Sequence, residues 1–190
     1  MVLCYSDILV IDGEDKQICK IETSIGQASE IHKRFSQLVS REHRCEATYS
    51  LMRSQVFDRV DLQLNYSDSD RTFLAELSLY GKFYKIDEPL FYKRYHQKRS
   101  IEVYRDRYKR MAWFYPEIDE NRLPYFCYFM YWRQIFHLIL IVYRAPMNLK
   151  NRFLCYSRIL IWMRRSREKL IAEILILIAE NPWLSRGLGD

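Results

Sequence analysis

Asp68-Ser69-Asp70-Arg71 is the densest group of side chains capable of chemistry in this sequence. It opens a segment in which Phe73, Leu74, Leu77 and Tyr80 recur at helical spacing. The dipole of a helix stabilises ionised carboxylates at its N-terminus. A carboxylate at such a loop-to-helix junction can take the proton of a hydroxyl as that oxygen attacks. Spacing alone favours a plainer role, because Ser67 and Asp70 stand at capping-box distance and Asp70 then serves its own helix.

The next group is Arg94-Tyr95-His96, with Ser100 four residues on. A histidine at a strand end can ligate a metal or contact a diphosphate. A lone histidine is more often a solvated bystander. Arg53, in the run LMRSQVF, can meet an anionic group or simply lie on the surface. His32, His43 and His137 have no partners at metal-ligand spacing. The sequence contains neither a Gly-rich phosphate loop nor a Ser/His/Asp or Cys/His pairing.

These groups need elements to position them. Val2–Ile11 is aliphatic and β-branched, and Asp12-Gly13 is a turn signal before a second short strand, Gln17–Glu22. Residues 31–40 place Ile31, Phe35, Leu38 and Val39 on one helical face. Cys45–Met52 reads as a strand, followed by a short helical turn over Arg53–Phe57. A helix is predicted over 68–80, with Gly81 as its C′ residue. Lys82–Tyr95 reads as one or two strands, broken at Glu88-Pro89. Helices are then predicted over 101–114, 122–144 and 149–164, and again after Ser166 until Pro182. The predicted class is α+β, a partial mixed sheet with helices over 1–100 followed by an all-helical region over 101–190.

Composition narrows the function classes. Hydrophobic residues at 49% and charged residues at 28% describe a globular chain of 190 residues. Five cysteines with no CxxC spacing argue against a zinc site or disulfide framework and make a reducing cytoplasm the expected compartment. The N-terminus lacks the basic region and cleavage site of a signal peptide. Charge is divided: residues 1–90 hold 11 basic and 15 acidic side chains, and residues 91–190 hold 19 and 9. The basic half carries Arg144, Lys150, Arg152, Arg158 and the run Arg164-Arg165-Ser166-Arg167 beside Phe153 and Trp162. Such a tail either rests on an anionic membrane surface or is an ordinary solvated face. Nucleic acid is not an expected partner, since the charge is spread among large apolar residues, no recognised motif appears and the front half is acidic.

Three consecutive blocks, VLCYSDILVIDGEDKQI, CEATYSLMRSQVF and SDRTFLAELSLYGKFYKIDEPLFYKRYHQKRS, resemble bacterial family 2 glycosyltransferases of the GT-A fold. The resemblance runs continuously over about residues 2–100. It implies transfer of a sugar from a nucleotide-sugar donor to a glycan or lipid-linked acceptor, with inversion. It assigns Asp70 as the general base and matches Arg94 and His96 to an Arg-x-His near the metal and diphosphate. Asp68, Arg71, Arg53 and Arg94 are the implied substrate contacts. A divalent metal, Mg or Mn, is implied for the intact enzyme, with His96 beside it. The nucleotide-binding half and its metal-binding DxD motif are not in these residues, so this polypeptide alone is expected to be inactive. Asp68-Ser69-Asp70 spells D-x-D but opens a helix, whereas the metal motif closes a strand.

Overall fold

A computed structural model describes residues 1–40, 45–62, 64–96, 98–104, 106–117 and 129–180. The chain is α+β. Its organising element is β1 (Leu3–Ile11), buried or half-buried at every position. Two antiparallel partners, β2 (Gln17–Ile21) and β3 (Leu51–Met52), pair with β1 at its far and near ends. β4 (Phe83–Arg94) runs parallel to β1 along its length. Since β4 occupies one edge throughout, β2 and β3 share the other. The sheet is therefore mixed.

The β1–β2 hairpin forms as the sequence predicts, but Gly13 is not its conformational key. Asp12 Oδ1 accepts the N–H groups of Glu14 and Lys16 at 2.8 and 2.9 Å. Asp15 supplies the left-handed residue, with φ of 66°. A true glycine requirement occurs at Gly26, with φ of 70°, where an added Cβ would lie 2.3 Å from the Phe83 ring.

A parallel β1–β4 pair needs a crossover, and that crossover builds the core. It contains α1 (Ile31–Val39) and α2 (Ser69–Tyr80). Every residue from Thr72 to Leu79 of α2 is buried. Buried Arg34 on α1 fastens the two helices, donating through Nε to the Ser78 carbonyl at 2.9 Å and through Nη1 to the Ser29 carbonyl at 2.8 Å. Carbonyls in the last turn of a helix lack internal partners, so a guanidinium satisfies them well.

Several expectations change. Cys45–Met52 is a 3-10 turn (Glu46–Tyr49) and the two-residue β3, not one strand. The Thr48 hydroxyl and N–H both donate to the Cys45 carbonyl, at 2.7 and 2.9 Å, and this local bonding competes with a ladder. The following turn runs Ser54–Arg59. Lys82–Tyr95 yields one strand, and the Glu88-Pro89 break is a bulge. Ser6 pairs with Ile86 and Ile8 with Phe91, so Asp7 stands opposite four residues.

The helix expected over 101–114 splits into α3 (Ser100–Val103) and α4 (Arg107–Phe114). Asp106 accepts the Lys109 N–H at 3.0 Å and starts α4 afresh. α5 (Met130–Arg144), α6 (Leu149–Arg165) and α7 (Arg167–Glu180) follow. Residues 122–128 and Pro182 lie outside the described residues. One core joins β1, α1 and α2 to Leu138, Ile141 and Val142 of α5 and to Cys155 and Ile159 of α6, so packing crosses the division drawn at residue 100. Among the described residues no helix is long and apolar enough to cross a membrane.

Two buried carboxylates carry opposite pH signatures. Asp7 is 1% exposed and meets Lys20 of β2 and Lys85 of β4, each at 2.9 Å. Burial raises its pKa, but the hydrogen bonds from Lys20 and Lys85 together outweigh that and hold it below its ordinary 3.8. Glu76 of α2 is 2% exposed, accepts the Asp61 N–H at 3.0 Å and lies 3.3 Å from Arg144 of α5. Burial, aided by the Asp61 charge, pushes it up to about 7 against the opposing pull of the Asp61 N–H and Arg144.

Asp7→Asn is expected to lower stability by about 1–2 kcal/mol, discounted because Lys20 stays partly solvated. A depressed carboxylate pKa stabilises the fold at neutral pH and loses that contribution as pH falls through the folded value. The variant's deficit in urea unfolding should therefore be full at neutral pH and vanish toward about pH 2. Glu76→Gln has the reverse sign. A raised pKa gives stability that is complete below 4.5 and lost as pH rises through about 7. The stability difference between about pH 5 and about pH 8 should shrink by roughly 2 kcal/mol in this variant.

Candidate functional site

The crossover that buries α2 leaves its N-terminus at the surface, between the 3-10 turn at 46–49 and the α3–α4 segment. A cleft of about 410 Å³ forms there. Asp68 and Asp70 lie at its base beside Tyr66 and Ser67. Thr48 and Tyr49 come from the 3-10 turn, and Ser100, Tyr104, Arg110, Trp113 and Phe114 from the later helices. Its aromatic wall is continuous, with Tyr104 and Trp113 stacked at 5.7 Å and Trp113 edge-on to Phe114 at 4.9 Å.

Tyr66 anchors the floor. It is fully buried, and its hydroxyl donates to Thr72 Oγ1 at 3.0 Å. His137 Nδ1 lies 3.2 Å from the same hydroxyl, which fits the Nδ1–H tautomer donating to it. The Arg133 guanidinium sits 5.0 Å over the Tyr66 ring. Burial pushes the Tyr66 hydroxyl up to about 12, so it stays protonated and neutral.

The α2 start departs from the capping box. Asp68 is the N-cap, but its side chain makes no capping bond. Its φ of 67° is left-handed, a conformation rare outside glycine. Asp70 Oδ1 instead accepts the N–H of Arg71, the next residue, at 2.8 Å.

The dipole argument predicts an ionised Asp70 of low pKa, and here the surroundings act the other way. Burial is the largest influence and raises the Asp70 pKa, with the Asp68 charge adding to it. The Arg71 N–H, the Cys45 thiol and the Arg71 charge offset only part of this. Burial also pushes the Cys45 thiol up, so it serves Asp70 as a neutral hydrogen-bond partner. A half-buried carboxyl with a raised pKa, facing a cleft, is a stronger proton acceptor than a solvated one.

The remaining predicted residues do not converge on this cleft. Arg53 is exposed, and its Nε donates to the Met1 carbonyl at 3.1 Å, clipping the start of β1. Arg94 reaches the hairpin turn, donating to the Asp12 and Gly13 carbonyls at 3.1 and 3.2 Å and pairing with Asp15. His96 is exposed, while Ser100 does line the cleft. Arg71 turns to a neighbouring cavity, where Asp68 is the shared wall. His32 Nδ1 lies 3.1 Å from Asn151 Oδ1, joining α1 to α6. His43 and Cys127 lie outside the described residues.

Sequence reasoning missed the aromatic wall. Its rings, with Tyr49 and Tyr66 nearby, come from separate stretches of the chain, so the sequence signal was a content of 15 Tyr and 10 Phe. Among the described residues no three His, Cys, Asp or Glu side chains converge to hold a metal. Exposed His96 joins no such group among the described residues, and no chemical step is routed through the Mg or Mn implied for the intact enzyme. Compared with protein-family models, with curated proteins and with solved structures, the chain matches none.

Proposed function

We propose that this chain is the acceptor-side part of a family 2 glycosyltransferase of the GT-A fold. The reading rests on one observation: a half-buried Asp70 of raised pKa at the base of an aromatic-walled cleft. Flat aromatic faces suit the apolar faces of sugar rings, and one carboxylate base suffices for activating a hydroxyl. Asp70 takes the proton of the acceptor hydroxyl. The acceptor oxygen attacks the anomeric carbon of the nucleotide-sugar donor and forms the new C–O bond. The bond to the nucleoside diphosphate breaks, and the leaving group departs with its electron pair, inverting the centre. Residues for the donor nucleotide and its metal belong to another part of such an enzyme, so the described residues do not turn over alone. This reading assigns the work to the cytoplasmic side of a membrane.

The full-length enzyme tests it. Asp70→Asn should lower kcat by about 100-fold or more while the acceptor KM stays near wild type. Trp113→Ala should instead raise the acceptor KM by up to about tenfold, the scale of one lost aromatic contact. Near-normal turnover by the Asp70 variant overturns the assignment.

A second reading, contact with an anionic membrane surface, is favoured by the outward faces of the last helices. On α5, Trp132, Phe136, Ile139 and Tyr143 recur at spacings of four, three and four and are all exposed. On α6, Leu149, Phe153 and Leu160 stand outward beside exposed Lys150 and Arg164. Residues 130–180 hold nine basic and three acidic side chains. Apolar stripes flanked by cations match the interface of a bilayer carrying anionic lipid. Of the basic tail predicted for this role, Arg144 is instead engaged by Asp61 and Glu76, and Arg152 donates to the Ala145 carbonyl at 3.2 Å. Full chain should co-sediment with phosphatidylglycerol vesicles in low salt, and Phe136→Ser with Phe153→Ser should reduce binding about tenfold or more. Equal binding by this double variant would remove the reading.

A further inference from the structure

A second cavity, of about 430 Å³, opens on the other side of Asp68 from the aromatic cleft. It lies between the end of α1, the first turn of α2, the start of α5 and the α6–α7 junction. Among the described residues three cationic side chains line it: Arg71 from α2, Arg165 from α6 and Lys169 from α7. Gln134, 3% exposed, and Ser166 add uncharged polar groups.

Two of the cations are held by other residues of the lining. Arg165 Nη1 donates to the Ser40 carbonyl at 2.9 Å, and among the described residues no other hydrogen bond engages its guanidinium. Lys169 Nζ sits 5.1 Å over the Tyr131 ring, and that ring is backed by Trp162 at 6.3 Å. Neither Arg165 nor Lys169 forms an ion pair among the described residues. Among the described lining residues Asp68 is the single acidic one, and it stands on the wall shared with the cleft.

We infer that this cavity is a phosphate-ester subsite, which binds the phosphate or diphosphate of a ligand whose sugar occupies the aromatic cleft. Guanidinium and ammonium groups converging on one hollow match the several oxygens of a phosphate better than a single carboxylate. The shared Asp68 wall makes the two cavities adjacent, so one sugar phosphate can reach both. The sugar placement rests on the acceptor-site reading, whereas the anion site stands on its own residues. Asp68, as a like charge at the rim, weakens anion binding and so favours ligands whose neutral end continues into the cleft.

Calorimetry on the full chain tests this with sodium pyrophosphate, glucose 1-phosphate and glucose, against sodium chloride at matched ionic strength. Quenching of Trp162 fluorescence gives a second readout. Pyrophosphate should bind, and Arg165→Gln and Lys169→Met should each weaken it about tenfold. Asp68→Asn should bind it at least as tightly as wild type, an outcome that general damage to the fold would not produce. Glucose 1-phosphate should bind more tightly than glucose. Phosphatidic acid vesicles separate the sources: binding of soluble pyrophosphate assigns a soluble ester, and binding of vesicles alone, lost in Lys169→Met, assigns a lipid headgroup. Absence of both, or binding unchanged in the Arg165 and Lys169 variants, overturns the subsite. If Asp70→Asn leaves sugar transfer intact while pyrophosphate still binds, the acceptor reading fails and the anion site survives.

Discussion

The parallel pairing of β1 with β4 is the constraint on which the rest of this structure depends. Parallel neighbours cannot be joined by a tight turn, so the chain must leave the sheet and return. Here the excursion contains α1 and α2; α2 is buried from Thr72 to Leu79, and its chain entry and first turn reach the surface at the cleft. Asp68 and Asp70 stand at the cleft for that reason. The same pairing produces the bulge opposite Asp7, and the two lysines that neutralise this carboxylate come from strands on either side of β1. A buried charge is tolerated only with such partners.

α2 thereby becomes the contact between two functions of the fold. Its middle is structural, with Glu76 held by Asp61 and Arg144 and the Ser78 carbonyl by Arg34. Its first turn is chemical. Asp70 faces the aromatic cleft, Arg71 faces the basic cavity, and Asp68 divides them. Adjacent positions on a helix diverge by about 100°, so consecutive residues of one turn can serve two separate hollows.

The left-handed backbone at Asp68 belongs to this geometry. A non-glycine residue held at positive φ is retained only where its surroundings determine it. Here the strain accompanies an exposed carboxylate whose side chain makes no capping bond and stands between an aromatic-walled cleft and a cationic cavity. The raised pKa of Asp70 has the same local origin, because burial under the cleft wall and the nearby Asp68 charge outweigh the favourable helix N-terminus.

Much of the secondary structure was legible in the sequence by itself. The β1–β2 hairpin, α1, α2 and α6 follow from periodicity and turn chemistry, which are properties of neighbouring residues. The Asp68–Asp70 group was legible as a candidate for the same reason. Tertiary structure alone decided the rest. It made the Glu88-Pro89 break a bulge within one strand, paired Leu51–Met52 with β1, and sent Arg53 and Arg94 to structural partners. It assembled Tyr49, Tyr104, Trp113 and Phe114 around one cleft floored by Tyr66, and Arg71, Arg165 and Lys169 around one cavity. Within each group, apart from Tyr104 with Trp113 and Phe114, and Arg165 with Lys169, those residues are more than fifteen positions apart, and no local pattern encodes their meeting. Only the crossover and the shared core bring them together, because long-range packing, unlike propensity, is not written in adjacent residues.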